Sequence, residues 1–252
     1  MYVLLFFACS FLGWCMEVTC KLVQFGRFIN RGFLLGLLCP IYGTGAVLMA
    51  YFLPLWTTQV ESTFLLALVL CGTLEYITSW LMEKLFHARW WDYSQKRFNI
   101  NGRVCASNLL AFGVMGVFVV KVLKPFAFGL FAKIPPVWLD AITITLTALL
   151  IADVAISAGV LTKIRGAAES VRADNTEAIT KAVREALMAQ GFLLRHPLHA
   201  FPEVQFYNKA HLARLKAKHD ELQANMREKR EKLQQELDRL EEKRKALKKE
   251  KK

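Results

Sequence analysis

Residues Thr63–Phe86 read TFLLALVLCGTLEYITSWLMEKLF, and this run decides the fold class. A helix of that length is about 36 Å long, enough to cross the roughly 30 Å hydrocarbon core of a bilayer. Its only charged residues are Glu75, Glu83 and Lys84. The run therefore predicts a membrane-spanning helix that contains two acids, which a membrane does not tolerate without a partner or a role.

Four further apolar runs flank this one, namely Tyr2–Cys20, Gly32–Leu53, Val104–Leu123 and Val137–Leu161. Runs of about 20 apolar residues are typical of spanning helices. The first run has no basic segment before it and no small-residue cleavage site, so we interpret it as a retained helix and not as a signal peptide. The chain is predicted to be an all-α polytopic membrane bundle with about five spans.

Charge is concentrated behind these runs. The chain has 252 residues, 54% of them hydrophobic, and a formal charge of +12. Residues 163–252 contain 22 Lys/Arg and 14 Asp/Glu, against 11 and 7 in residues 1–162. This excludes a disulfide-stapled secreted module and a wholly disordered chain. We divide the chain into a transmembrane domain (1–162), an amphipathic helix with a membrane-proximal loop (163–202) and a charged helix or coiled coil (203–252).

The basic residues also predict the orientation. With the N-terminus outside, the loops on the cytoplasmic side carry eight Lys/Arg, and the outside loops carry Lys121, Lys124 and Lys133. Basic residues are enriched in cytoplasmic loops. The sequence therefore predicts a multi-pass protein of the cell membrane whose C-terminal tail is cytoplasmic.

Polar side chains gather at a similar depth of the predicted bundle. In the orientation above, they fall in the cytoplasmic half of their spans or about midway: Glu17, Arg31, Tyr42, Glu75, Glu83, Asn108 and Asp153. A polar cavity that opens to the cytoplasm would account for them, because ionisable groups in a membrane must be paired or hydrated. The alternatives are a Glu17–Lys21 pair one turn apart and a Glu83 side chain that reaches to the interface.

A second polar cluster follows the third span. Residues 89–94 read RWWDYS and residues 98–103 read FNINGR. An aromatic belt with a solvated loop is one interpretation, but the mixture of charges, carboxamides and aromatics favours binding. We predict a short interfacial or re-entrant piece over the cytoplasmic mouth, and its candidate binding residues are Trp91, Asp92, Tyr93, Asn99 and Arg103.

These pieces together carry a resemblance. In order, the chain contains Gly13-Trp14-x-x-Glu17, Arg31-Gly32-Phe33-Leu34, Pro40-Ile41-Tyr42-Gly43, Glu75-Tyr76, Trp91-Asp92-Tyr93-Ser94 and Asn99-x-x-Gly102-Arg103. It resembles the bacterial family of ABC-transporter permeases of the CmpB type, and also a group of small eukaryotic transmembrane proteins with a Trp-Asp-Tyr-Ser motif. The resemblance implies a permease. Because the chain has no Walker A glycine loop, it also implies a separate ATPase subunit as partner.

The tail is predicted to be helical. Apolar residues recur at helical spacing in residues 164–190, and Gly191 is expected to end that helix. Residues 192–202 contain two prolines and are predicted to form an apolar loop near the membrane surface. Further on, an apolar residue recurs every seven positions, which predicts a long helix or weak coiled coil and a possible homo-oligomer: Met226, Leu233, Leu240 and Leu247. The acids interleaved with the bases argue against nucleic-acid binding.

Transport is the leading functional hypothesis: the polar residues would line a cytoplasm-facing pathway for a small solute or ion. One alternative is a scaffold that recruits partners through its helical tail. The other is a membrane-embedded enzyme that acts on lipid substrates, with Asp92 or Glu83 as general base. We favour an enzyme less because the sequence has no nucleophile–base spacing. The six cysteines include no C-x-x-C pair, and the two histidines within residues 192–202 have no further metal ligands beside them. The sequence therefore predicts no metal site and no cofactor.

Overall fold

A computed structural model of the chain describes residues 1–171, 176–188, 191–202, 204–207, 213–214, 217, 220–232 and 234, most of which are helical. The chain divides into two compact units, Met1–Tyr207 and Asn208–Lys252. The second unit is helical over residues 220–232. The heptad residues Leu233, Leu240 and Leu247 lie outside the described residues, so the coiled coil stays a prediction.

Among the described residues of the first unit, four helices are long and apolar enough to cross a membrane. They are α1 (Tyr2–Phe25), α3 (Val60–Phe86), the continuous helix from Ala106 to Phe131, and α6 (Pro136–Ser170). The nearly all-α class and four of the predicted spans are thereby confirmed. α2 (Pro40–Trp56) has 17 residues and is about 26 Å long. Its role as a fifth span stays a prediction.

The predicted start of the second span is wrong. The sequence placed it at Gly32, whereas residues 26–39 are not helical and α2 begins at Pro40. Proline suits the first helical turn, where its missing N–H would have no partner in any case. Gly26 ends α1 with a φ of 66°, a left-handed conformation that glycine adopts without strain. Residues 26–39 therefore form a folded loop, the α1–α2 loop.

Side chains from distant elements supply the hydrogen bonds of this loop. The Asp153 carboxylate of α6 accepts hydrogen bonds from the backbone N–H of Leu35 at 2.9 Å and of Gly36 at 2.8 Å. A ring nitrogen of His196 lies 3.1 Å from the Leu34 carbonyl oxygen. Because a buried backbone group without a partner is costly, these contacts explain how apolar residues can remain non-helical here.

The fourth span is longer than predicted. α4 (Ala106–Phe118) continues through a π-helical turn (Val119–Leu123) into α5 (Lys124–Phe131). The apolar run predicts that this span ends at Leu123 and that Lys121 and Lys124 belong to an outside loop, but both lysines lie within the helix. Their ammonium groups donate to backbone carbonyls of the α2–α3 region, Lys121 to Thr58 and Lys124 to Ala50.

The first unit has two apolar cores. One lies among α1, α2, α3 and the α4–α5 helix and includes Leu5, Met49, Leu53 and Ala67. The other joins the C-terminal part of α6 to α7 (Thr176–Met188), α8 (Phe192–Ala200) and β4 (Gln205–Phe206). We call α7, α8 and β4 the cap. Its core also includes Trp90 and packs against Phe33, so the cap covers both the residues after α3 and the α1–α2 loop.

Two short strand pairs complete the unit. β1 (Ala88–Arg89) pairs antiparallel with β4, and β2 (Asn99–Ile100) pairs antiparallel with β3 (Val104–Cys105). The loop predicted for residues 192–202 is wrong, because α8 occupies Phe192–Ala200 with Pro197 inside it. The helix predicted for residues 164–190 is divided between α6, which continues to Ser170, and α7. Burial of α8 in the cap core outweighs the proline signal.

Candidate functional site

α1 and α2 approach each other closely at two glycines. A Cβ atom on Gly13 would overlap the Tyr42 ring, and a Cβ atom on Gly43 would overlap the Ser10 side chain. Because the helices lie this close, the Tyr42 hydroxyl donates a hydrogen bond of 2.7 Å to Glu17 Oε1. Small residues on both helices therefore bring a tyrosine of α2 to an acid of α1.

Arg31, in the α1–α2 loop, is the ion-pair partner of Glu17. Its Nε lies 3.4 Å from Glu17 Oε2. The same guanidinium donates to the Ala200 carbonyl at 3.0 Å and lies 4.7 Å from the centroid of the Phe201 ring. Lys21, the alternative partner of Glu17 in the sequence analysis, instead donates to Gln24. Arg31 thus connects Glu17 to the end of α8.

Glu75 is the buried acid of α3, and 7% of its surface is exposed. Its Oε1 accepts hydrogen bonds from the Tyr93 hydroxyl at 3.3 Å and from the Asn108 amide of α4 at 3.5 Å. Its Oε2 is buried without a hydrogen-bond partner among the described residues. One half of this carboxyl group is therefore satisfied and the other half is not.

Tyr93 links Glu75 to the first pair. Burial raises the pKa of the Tyr93 hydroxyl, and the negative charges of Glu75 and, to a smaller extent, Glu17 raise it further. Both acids therefore lie within electrostatic reach of one tyrosine, which stays a neutral donor at physiological pH. We call the group formed by Glu17, Arg31, Tyr42, Glu75 and Tyr93 the Glu75 cluster.

Glu83 belongs to a separate network of ion pairs. We call the group formed by Glu83, Arg89, Asp92 and Arg103 the Glu83 cluster. Its Oε2 lies 3.0 Å from Arg103 Nη2 and 3.2 Å from Arg89 Nε. Arg89 also contacts Asp92, with 3.5 Å between Nη1 and Oδ1, and Arg103 donates to the Ser79 hydroxyl at 3.2 Å. The Glu83 side chain is 18% exposed. Two arginines therefore hold this carboxylate, in contrast to the alternative in which it reaches out to the interface.

Trp91 and Asn99, the remaining candidates, hold the backbone of the loop between α3 and α4. The Trp91 indole donates to the Arg103 carbonyl at 3.2 Å. The Asn99 amide donates to two loop carbonyls, and its oxygen accepts from the Gly102 N–H. Gly102 has a φ of 67°, which favours glycine. Eight of the ten predicted site residues thus lie in the two clusters. The other two, Trp91 and Asn99, position the loop that supplies Tyr93 and Arg103.

Three residues outside the predicted set also contribute. Asn108 bonds Glu75, Arg89 bonds Glu83, and Asp153 holds the α1–α2 loop that carries Arg31. The sequence contains a signal for each, because Asn108 and Asp153 are polar groups within apolar runs and Arg89 begins the RWWDYS motif. The partners of Asn108 and Asp153 lie 33 and 118 residues away, so the sequence did not pair them, whereas the partner of Arg89 is only six residues away.

Among the described residues, no group of three or more His, Cys, Asp or Glu side chains is arranged to hold a metal ion. Two surface cavities lie away from both acids of the Glu75 cluster. One, of about 300 Å³, is lined by residues of α3, β2, β3 and α4, and the other, of about 540 Å³, by residues of α7 and by Pro202, Val204 and Gln205. A cytoplasm-facing cavity at the clusters therefore stays a prediction.

Comparison with known proteins gives one match. A family model described as "Putative ABC-transporter type IV" matches residues 4–158, which is more than half of the chain. The matched region includes both clusters and ends within α6, before the cap. None of the curated proteins and none of the solved structures matches the chain.

Proposed function

The chain belongs to the ABC-transporter type IV family, and from this membership we propose that it mediates the transport of a small solute or ion through a polar pathway among α1–α4. The family and the four long apolar helices make it a multi-pass membrane protein. The matched residues include α3 and the helix from Ala106 to Phe131 entirely, and α1 and α6 in part. The transport role and the pathway are the parts that we propose.

The convergence of polar side chains on Glu75 carries the proposal. Tyr93 from the loop after α3 and Asn108 from α4 both bond this acid, and Glu17 of α1 acts on Tyr93 electrostatically. Polar groups from three transmembrane elements and a loop therefore meet at a point where the surrounding chain is apolar. Such groups are expensive in a membrane and are typical of ion and substrate pathways.

We further propose that the N-terminus lies outside the cell membrane and the tail in the cytoplasm. The excess of Lys/Arg in the α1–α2 and α3–α4 loops supports this orientation. In it, both clusters and the cap lie toward the cytoplasm. A phosphatase fused after the last residue should remain inactive in bacterial cells, because the enzyme folds only outside the cytoplasm; an active fusion would contradict the orientation.

A separate ATPase subunit is the partner that the family description suggests. We propose that such a subunit binds on the cytoplasmic side, and that the tail supports self-association. Gentle purification from the native membrane tests the first proposal, since an ATPase should copurify with the intact protein. Sedimentation of the intact protein and of a variant truncated after Tyr207 tests the second, because only the intact protein should self-associate.

Flux in proteoliposomes tests the transport role. The wild type, Glu75→Gln and Glu61→Gln are reconstituted and assayed with radioactive rubidium, sodium and chloride ions and with labelled amino acids and sugars. Glu61 lies exposed in the first turn of the same helix, so its variant is the matched control. We expect Glu75→Gln to lower the flux about tenfold, a barrier change of about 1.4 kcal/mol, and Glu61→Gln to leave it unchanged. Equal flux in all three proteins would contradict the role of Glu75.

A further inference from the structure

The three glutamates of the two clusters differ in their partners. Glu17 has Arg31 at 3.4 Å, and Glu83 has Arg103 at 3.0 Å and Arg89 at 3.2 Å. Glu75 forms no ion pair in the part of the chain that the structure describes, and its Oε2 has no hydrogen-bond partner there. It is nevertheless the most buried of the three, with 7% of its surface exposed.

The groups that face Glu75 do not supply a positive charge. Glu17 from α1 is an acid, and Tyr93 from the loop after α3 and Asn108 from α4 donate neutral hydrogen bonds. Cys71, one turn earlier on α3, is a free thiol. Tyr42 of α2 donates its hydroxyl proton to Glu17 and not to Glu75. The acid therefore sits among neutral and acidic groups.

A buried carboxylate in such surroundings is strongly disfavoured relative to its protonated form. An isolated charge in an apolar medium is expensive, and a buried group commonly neutralises instead. A divalent metal ion does not fit, because the described residues offer no set of three suitable ligands. A proton needs no further coordinating atoms, and its binding removes the negative charge of Glu75.

We propose that Glu75 binds a proton that is coupled to transport, whereas the other two glutamates of the clusters are fixed by arginines. This inference rests on the proposed function. The carboxylate takes a proton from a hydronium ion on one side, forming an O–H bond and releasing water. It returns the proton to water on the other side, and no other bond changes. Proton exchange at Glu75 requires that its unpartnered Oε2 becomes reachable from each side in turn.

Carbodiimide labelling tests the proton directly and does not depend on transport. Dicyclohexylcarbodiimide reacts with carboxyl groups that are protonated in apolar surroundings, and mass spectrometry locates the adduct. A nearby opposite charge shifts the proton affinity of a carboxyl group by roughly ten- to a thousandfold. We therefore expect at least about tenfold more adduct at Glu75 than at Glu17 or Glu83 at neutral pH, and a decline at Glu75 as the pH rises.

Three variants sharpen the experiment. Glu75→Gln should lose the adduct, and Glu61→Gln should retain it. Arg31→Gln removes the partner of Glu17, so labelling at Glu17 should rise toward the level of Glu75. Equal labelling of Glu17, Glu75 and Glu83 in the wild type would overturn the inference.

Infrared difference spectroscopy covers the case in which the reagent does not reach the site. A protonated carboxyl band that is present in the wild type and missing in Glu75→Gln supports the proposal, and identical spectra overturn it. The outcomes separate the two proposals. A neutral Glu75 with undiminished flux in Glu75→Gln would leave the bound proton standing and refute its coupling to transport. If Glu75→Gln loses flux but the wild-type Glu75 is ionised, the transport role of Glu75 stands and the proposal that it binds a proton is refuted.

Discussion

The Lys124 ammonium donates a hydrogen bond of 2.7 Å to the Ala50 carbonyl. Ala50 lies four residues before Pro54 in α2, and a proline has no N–H with which to close the helical hydrogen bond to that carbonyl. Lys124 therefore supplies from another helix the donor that α2 lacks. The π-helical turn Val119–Leu123 directly precedes Lys124, so the irregularity in one helix lies next to the residue that compensates for a proline in another.

Lys124→Met should destabilise the protein by about 1–3 kcal/mol, because it leaves the Ala50 carbonyl unsatisfied. In a Pro54→Ala background the restored N–H can bond this carbonyl, and the cost should fall by roughly 1 kcal/mol. Unfolding in detergent micelles, measured for the four proteins of this cycle, gives the coupling energy. Equal costs in both backgrounds would show that the two residues are independent.

Gly13→Ala should push α1 and α2 apart, because the added Cβ overlaps the Tyr42 ring. Overpacking of this kind typically costs about 1–3 kcal/mol, and the Tyr42–Glu17 hydrogen bond should weaken with it. Gly159→Ala in α6 is the matched control, since nothing lies within 4 Å of its added Cβ. In the same unfolding assay the control should be neutral or stabilising, as expected for glycine replaced by alanine in a helix. A control that loses as much stability as Gly13→Ala would contradict this explanation.

Asp153→Asn should loosen the α1–α2 loop. An amide has one oxygen, so it can no longer accept from the Leu35 and Gly36 N–H groups with two carboxylate oxygens. Amide hydrogen exchange at these two residues should accelerate about tenfold, which corresponds to a loss of about 1.4 kcal/mol. Asp140→Asn, at an exposed position near the start of the same helix, should leave the exchange unchanged. Unchanged protection of the loop in Asp153→Asn would refute its anchoring role.

Phe206→Ala should detach the cap from the residues after α3. Phe206 is fully buried and belongs to β4, which pairs with β1. Removing a buried aromatic ring costs about 3–5 kcal/mol, so hydrogen exchange at Ala88 and Arg89 should accelerate markedly. Phe192→Ala, at a side chain that is 77% exposed on α8, is the control that should preserve β1 protection.

The apolar runs were sufficient to predict where most of the long helices lie, because hydropathy and length alone decide whether a segment can span. They failed for residues 32–38, which are as apolar as a span but are held open by Asp153 and His196. Pro197 led to the opposite error, because it favoured a loop whereas burial of α8 keeps this segment helical. The partners that hold the loop lie more than a hundred residues away, and α8 is buried against α6 and α7 in the cap core.

Sequence reasoning identified the polar residues of the site better than their pairing. Eight of the ten candidates lie in the two clusters, because charge inside an apolar run is visible without a structure. The partner of Glu17 was not visible: Lys21 is one turn away, yet the fold of the α1–α2 loop brings Arg31 to it. The lack of an ion pair at Glu75 among the described residues was likewise not visible, because it depends on the loop after α3, which directs Arg89 and Arg103 to Glu83.

The hydrogen bonds of the α1–α2 loop also set an order of events during biosynthesis. Leu35 is 118 residues from Asp153, and Arg31 is 169 residues from Ala200. At about 5–20 residues per second, the ribosome needs on the order of ten to thirty seconds to produce Ala200 after Arg31. The loop has no anchor until Asp153 has been made, and no cap until Ala200 has been made. The nascent chain must therefore carry an unfinished first loop until its last long helix and the cap have been made.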